Sequence, residues 1–309
     1  MVTTGNTIAK YYANGTAINT NFITEQPIPM PVPGGFAWIP SLGGIVVSGP
    51  NLYVAAEWVP DMAYVYALLK GYSSIWYVNY VIATYDAAMG NVTNSFSHKM
   101  SPSRQYGSVR NPVFGPAGMA LSGPNFYVAN YQENSITEGG NLFYISSTNS
   151  TVINAPYALA VGAVGGPIAN VLYVTNNAQN STGNFYISTY STASTVNGTL
   201  LNPYFIEIAT GGLYGLALSK DNTILYVSVF SGSAPGVYTY KADTAELIKG
   251  PFVSVNGPGG IAIAGKTLYV ASNQDSTIYE FNATTGAKLS HSIKVSTPSN
   301  ITVEPADKE

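Results

Sequence analysis

The chain has 309 residues, enough for one large all-β domain or two smaller ones. It contains no cysteine, which excludes disulfides, thiolate metal sites and a cysteine nucleophile. Only 9% of residues are charged and the net charge is -3, which argues against a phosphate-neutralising surface and hence against nucleic acid as a partner.

The N-terminal "VTTGNT" after Met1 reads as strand and turn rather than as the basic and apolar regions of a signal peptide, so any leader is expected to be already removed. Residues 1–23 align with residues 269–293, so the chain is expected to begin at the end of a second strand of a repeat. A small-residue strand, "GGIVVSG" (Gly43–Gly49), then leads through a short turn to "NLYVAAE" (Asn51–Glu57). An aromatic stretch follows, with one plausible helical turn at Pro60–Gly71, before a third strand at Tyr80–Gly90. No apolar run reaches the ~18–20 residues that a membrane-spanning helix needs. The most apolar stretch, Trp58–Leu69, is interrupted by Pro60 and Asp61.

The same order recurs downstream. "AGMALSG" (Ala117–Gly123) precedes "NFYVANY" (Asn125–Tyr131) and a third strand at Asn141–Ser150. "LYVTNN" (Leu172–Asn177) precedes Gly183–Ser191. "YGLALSK" (Tyr214–Lys220), "ILYVSVF" (Ile224–Phe230) and Gly236–Ala245 form the next unit. "GGIAIAG" (Gly259–Gly265), "TLYVASN" (Thr267–Asn273), Ser276–Gly286 and an outermost Ala287–Val295 form the last. The final segment, Ser299–Pro305, resembles a first strand.

Successive Tyr-Val pairs stand 74, 46, 53 and 43 residues apart, a period of short strands that predicts a β-propeller. Gly and Ala suit the crowded strand beside the axis, while Ile, Leu and Val alternate toward the neighbouring blade. Pro and Gly punctuation and the β-branched and aromatic content argue against helices. Five complete units and one composite of the two termini predict a single all-β domain over 1–309, a six-bladed β-propeller of four-stranded blades. Pairing of the N- and C-terminal strands closes the ring and removes an exposed edge. The over-long first unit is read as one blade with a long aromatic insertion at about 57–79.

The recurring strand and its Gly-rich predecessor resemble the YVTN-type and NHL-like repeats of bacterial and archaeal surface β-propellers. "LYVTNN" matches the signature for which the YVTN repeats are named, and "YEFNATTGAKL" (Tyr279–Leu289) looks like the third strand and turn of the same families. The other copies depart from the signature after Tyr-Val, at Ala55, Ala129, Ser228 and Ala271. The resemblance is architectural, and such repeats serve adhesive, binding and enzymatic proteins alike.

Propeller ligands sit at one mouth of the channel, near the residues that follow each second strand. Here these are Glu57 with Trp58, Asn130 with Tyr131, Asn176 with Asn177, Phe230, and Asn273 with Gln274 and Asp275. Glu57, Asn130, Asn176 and Asn273 offer the carboxylate and amide oxygens that suit Ca²⁺, and the resemblance to metal-dependent lactonases implies a similar set. The same asparagines also suit turn capping. His98 and His291 fall on outer strands of distant units, which argues against the histidine-dependent propeller lyases. Trp58, Tyr64, Tyr66, Tyr72, Trp76, Tyr77 and Tyr80 make the insertion either a stacking surface for sugar or protein or a self-packed hairpin.

Asn-x-Ser/Thr triplets at Asn14, Asn91, Asn149, Asn180, Asn197, Asn282 and Asn300 are glycan acceptors if the chain meets an oligosaccharyltransferase, and chance products of composition otherwise. With the low charge and 24 tyrosines they suggest an extracellular or cell-surface glycoprotein. The expected function is therefore a binding or structural interaction module, with a protein or carbohydrate partner at the channel mouth. The alternative is a Ca²⁺-dependent lactonase-like hydrolase or lyase, with Glu57 as a metal ligand and Asp275 or Asp61 as general base.

Overall fold

Every sheet is an antiparallel meander, and the sheets follow one another in chain order. In this computed structural model the described residues are 1–4, 7–12, 14, 16–24, 28–29, 37–60, 79–90, 92–98, 116–122, 125–131, 134–139, 143–145, 152–162, 168–193 and 198–303. The first sheet holds β1 (Val2–Thr4), β2 (Thr7–Tyr11) and β3 (Ala17–Thr24). The second holds β4 (Ile28–Pro29), β5 (Ala37–Ser48), β6 (Asn51–Pro60), β7 (Asn79–Asp86) and β8 (Val92–His98). The third is β9 (Pro116–Ser122), β10 (Asn125–Asn130), β11 (Ser135–Gly139) and β12 (Phe143–Ile145). The fourth is β13 (Pro156–Val161), β14 (Val171–Asn176), β15 (Phe185–Ser191) and β16 (Leu200–Ile208). The fifth is β17 (Leu213–Leu218), β18 (Ile224–Val229), β19 (Gly236–Lys241) and β20 (Leu247–Ser254), and the last is β21 (Pro258–Ala264), β22 (Thr267–Ser272), β23 (Thr277–Asn282) and β24 (Lys288–Lys294).

The chain is thus an all-β propeller, but the expectation of six four-stranded blades is corrected. Among the described residues five sheets are complete blades, four with four strands and one with five, and the remaining sheet has only three. Its innermost place is taken by residues 299–302, which make an isolated antiparallel bridge, Val2 with Ile301, rather than a strand. Thr3 N–H donates to Asn300 O (2.9 Å), Ser299 N–H to Thr3 O (3.1 Å) and Thr302 N–H to Met1 O (3.0 Å). The three residues of β1 offer too short an edge for a longer ladder. These bonds nevertheless join the two ends of the chain and bury Val2.

The core is split among the seams between successive sheets. Each cluster takes residues from two neighbouring sheets, as Ile187 and Ile206 do with Leu225 and Val227. Period-2 alternation alone would bury one face of a sheet, but a blade has neighbours on both sides. The second strands are accordingly buried through almost their whole length. Crowding near the axis explains the glycines of the inner strands: a Cβ on Gly118 would lie 2.4 Å from Tyr157 O, and one on Gly260 2.6 Å from Ser299 O. Among the described residues no helix is long and apolar enough to cross a membrane.

The second sheet departs from the others. β5 runs for 12 residues and β6 for 10, and their ladder continues past the end of the blade as far as Trp38 opposite Pro60. The expected insertion therefore begins as paired strand. Residues 61–78, with the expected helical turn, Asp61 and most of the aromatics, lie outside the described residues.

Candidate functional site

All second strands end at the same mouth of the ring, opposite the start of an inner strand. Asn176 pairs with Pro156, Asn130 with Pro116 and Ser272 with Pro258. The mouth is thus built from the residues after β10, β14, β18 and β22 and from the first residues of β9, β13, β17 and β21.

Two of the asparagines there, Asn176 and Asn177, serve the backbone. Asn176 is 0% exposed. Its Oδ1 accepts from Asn154 N–H (2.9 Å), and its Nδ2 donates to Val174 O (3.2 Å) and Ser188 Oγ (3.0 Å). Asn177 Oδ1 accepts from Leu213 N–H in the next blade (2.6 Å), while its buried Nδ2 has no partner. Asn130 Nδ2 donates to Ser135 Oγ (3.1 Å). Asn273 is exposed, and its backbone N–H donates to Gly257 O (3.2 Å). Glu57 and Trp58 lie within β6, opposite Ser41 and Pro40 on one side and Tyr80 and Asn79 on the other, rather than in a loop after it. Their side chains lie outside the described residues, as does that of His98. Among the described residues no group of three or more His, Asp or Glu side chains converges.

The mouth presents a line of rings. Tyr131 meets Tyr157 edge to face with centroids 6.0 Å apart. Tyr157 lies 4.5 Å from Tyr214, and Tyr214 lies 4.8 Å from Phe230. These separations are those of favourable aromatic pairs. The four side chains come from three successive blades and are all half-buried. Burial pushes the Tyr157 hydroxyl above its ordinary pKa and the Tyr214 phenol adds to this, while a hydrogen bond with the Ser299 side chain opposes it. Tyr157 thus joins an inner strand to the 299–302 segment. From that segment Asn300 Nδ2 donates to Gly43 O (2.9 Å) and Ala117 O (3.3 Å). The axis is therefore crossed by side chains at this level.

Tyr131 and Phe230 were expected at the mouth. Tyr157 and Tyr214 were not, although a visible signal existed: a tyrosine opens their inner strands where other copies carry Gly or Ala. Asp275 lies in the β22–β23 turn, its carboxylate accepting from Tyr279 Oη (3.1 Å) and Asn256 Nδ2 (3.3 Å). It lines a cleft of about 490 Å³ between the last two blades, with Ser254 and Lys288. His291 is exposed on β24.

Four of the Asn-x-Ser/Thr asparagines are described. Asn14 is exposed in the β2–β3 turn and Asn282 ends β23, its Oδ1 accepting from Thr284 and Thr285 N–H (both 2.9 Å). Asn180 Nδ2 donates to Glu207 Oε1 (2.5 Å). The Nδ2 of Asn300, where a glycan would attach, is the atom bonded to Gly43 and Ala117. Asn91, Asn149 and Asn197 lie outside the described residues.

A ring of antiparallel blades with a partly filled axis defines the chain as a β-propeller. No protein-family model matches the chain, and neither does any curated protein. Solved structures do. A structure of a nidogen/laminin complex aligns with a TM-score of 0.57 at 14% identity, over 86% of this chain and 87% of the other. A gluconolactonase from Xanthomonas campestris aligns at 0.55 and 13% identity, over 90% of each chain. A luciferin-regenerating enzyme aligns at 0.52 and 13% identity, over 82% of this chain and 76% of the other. At such identities the likeness concerns the fold alone.

Proposed function

We propose that this propeller is an extracellular or cell-surface binding module whose partner, a protein, docks on the aromatic line at the channel mouth. The line Tyr131–Tyr157–Tyr214–Phe230 carries the reading. Tyrosines and phenylalanines held by packing supply large contact area at little entropic cost, and such residues dominate protein interfaces. The amide oxygens of Asn176 and Asn177, committed to backbone N–H groups, support docking over metal chemistry. A propeller neighbour crystallised as a nidogen/laminin complex is consistent with a protein partner. The YVTN-type repeat resemblance supports the surface location.

The test is capture of partners from the native source's surface fraction by the wild-type chain and by a Tyr131→Ala/Phe230→Ala variant with an unchanged circular dichroism spectrum. A protein retained by the former and lost by the latter supports the reading. Retention of oligosaccharides on a glycan array in its place would transfer the site to carbohydrate. Calcium-dependent hydrolysis of a gluconolactone would replace the reading with the enzymatic one.

A further inference from the structure

The opposite end of the propeller has a different surface. The β2–β3, β5–β6, β7–β8, β17–β18, β19–β20, β21–β22 and β23–β24 turns emerge at the end away from the mouth. Among the described residues the exposed large apolar side chains are Tyr12, Ile18, Met89, Leu201, Leu247 and Ile248, with Tyr204 besides. All but Tyr204 sit at this end: Tyr12 and Met89 in or beside turns, the others at the starts of outer strands. Three recur by register. Ala17, Leu200 and Leu247 pair with Tyr11, Tyr190 and Tyr240, and the residue after each is Ile18, Leu201 and Ile248. All three stand at a register shift, one per sheet.

Charge marks this end as well. Among the described residues Lys220, Lys241, Lys249 and Lys266 are exposed here, against Asp221, Asp243 and Glu246, while the Lys288 ammonium lies over the Tyr279 ring in the cleft beside Asp275. Glu246 is taken up by Lys241 (2.5 Å), and Asp221 accepts from Ser219 Oγ and Thr223 within its own turn. Lys220 and Lys266 occupy the tips of the β17–β18 and β21–β22 hairpins. Among the described residues cations thus outnumber free anions at this end, in a chain whose net charge is -3.

From these two observations we propose that this end docks on an anionic lipid surface. Aliphatic side chains spaced one per blade do not form the contiguous apolar centre of a protein interface. They suit shallow, separate insertion into the headgroup boundary, with lysine ammonium groups on lipid phosphates. Docking in this way would point the aromatic mouth away from the bilayer. Glycans on Asn14 or Asn282, which share this end, would hold it off the membrane, so docking and glycosylation exclude one another there.

The experiment is vesicle co-sedimentation with protein made in a host that attaches no N-glycans. Vesicles of phosphatidylcholine mixed with phosphatidylserine are expected to carry the protein down, and those of phosphatidylcholine alone far less. Lys220→Gln/Lys266→Gln should lower partitioning roughly 25-fold, about fivefold for each lysine removed from an anionic surface. Ile18→Ser/Leu201→Ser/Ile248→Ser should lower it on the same vesicles, with the melting temperature of both variants unchanged. No sedimentation with anionic vesicles overturns the proposal, as does sedimentation that neither variant changes. Retention on immobilised polyglutamate without vesicle binding overturns it in favour of an acidic protein partner. Loss in the lysine variant alone overturns insertion. N-glycans found on Asn14 or Asn282 of the native protein overturn docking.

Discussion

Lys10 Nζ donates to Ala87 O at 2.7 Å, from the three-stranded sheet into the β7–β8 turn of the next. Two other seams make the same connection with a tyrosine: Tyr173 Oη donates to Ala242 O and Tyr226 Oη to Ala283 O, both at 2.6 Å. The accepting carbonyl opens the equivalent turn each time. The alignment of residues 1–23 with 269–293 places Met1 where other copies have this tyrosine, so the first sheet lacks the hydroxyl. The Lys10 ammonium reaches the same carbonyl from the adjacent strand. A ring on the outermost strand supports two of the three arrangements: Phe22 packs against Gly90 and Phe252 against Gly286, turn glycines with φ of 76° and 75°. In these two copies, Tyr173 and Tyr226, the tyrosine of the Tyr-Val pair is thus a latch between blades.

Removing a latch strands a buried carbonyl. Ala242 is buried, so Tyr173→Phe leaves its oxygen without a donor at a cost of about 1–3 kcal/mol. Tyr226→Phe should cost a similar amount at its own seam. The two sites share no partner, so the double variant should lose nearly the sum. Urea unfolding curves measure this, and a Tyr173→Phe variant as stable as wild type would refute the latch.

Raised phenol pKa values give these seams an alkaline limit. Burial pushes Tyr186 up to about 12, with Tyr204 adding to it, and burial with Tyr238 does the same for Tyr240. Tyr173 and Tyr190 are raised further, again mainly by burial. Below pH 10 both folded and unfolded chains keep the proton, and this contribution to stability is complete. As pH rises from 10 toward 12 the unfolded chain releases protons that the folded chain holds, so stability falls. The expected result is a single step in which tyrosinate absorbance rises as circular dichroism is lost. Ionisation of these phenols near pH 10 with the spectrum intact would contradict it.

The architecture was legible in the sequence because each blade writes its own record: a small-residue strand, a turn, a Tyr-Val strand and a glycine-ended turn. The expected second strand Asn125–Tyr131 differs from β10 by one residue, and Leu172–Asn177 from β14 by one at each end. What was not legible depends on neighbours in space. The partner of Asn177 Oδ1 is Leu213 N–H, 36 residues away, and no local pattern names it. The line of rings escaped notice because Tyr157 and Tyr214 open inner strands whose period reports only packing. The continuation of β6 through Glu57 follows from its pairing with β5 and β7, which an asparagine or glutamate at a strand end does not disclose.

Close approach of the inner strands gives a sharp test of the axis. A Cβ at Gly118 would meet Tyr157 O at 2.4 Å and Ala158 Cα at 3.0 Å, both backbone atoms that cannot swing aside. Gly118→Ala should therefore push β9 from β13 and destabilise the chain by about 1–3 kcal/mol, the range for overpacking. Gly183→Ala has open space at its Cβ but a φ of 84°, so its cost should be that of backbone strain alone, about 1–2 kcal/mol. The difference lies in binding. Gly118→Ala should also weaken partner capture, because Tyr157 carries both the displaced carbonyl and the central ring of the mouth, whereas Gly183→Ala should leave it intact. Equal capture by both variants would separate the mouth from the packing of the inner strands.

The last prediction concerns Asn176, an expected metal ligand that the fold uses as a brace. Its amide holds the Asn154 N–H, Val174 O and Ser188 Oγ in a site closed to water. Asn176→Asp keeps the shape and the accepting oxygen but removes the two donors and buries a carboxylate beside Val174 O. The carboxylate will be held protonated by burial, so the variant should be less stable at pH 7 and recover part of the loss as pH falls below its raised pKa. Asn176→Ala should lose about 2–4 kcal/mol at every pH, since three polar groups then lack partners. A ligand role makes the opposite forecast, because a second carboxylate would strengthen Ca²⁺ binding and millimolar calcium would raise the melting temperature of Asn176→Asp more than that of wild type. Melting curves of the three proteins with and without calcium, at pH 5 and pH 7, separate a brace from a ligand.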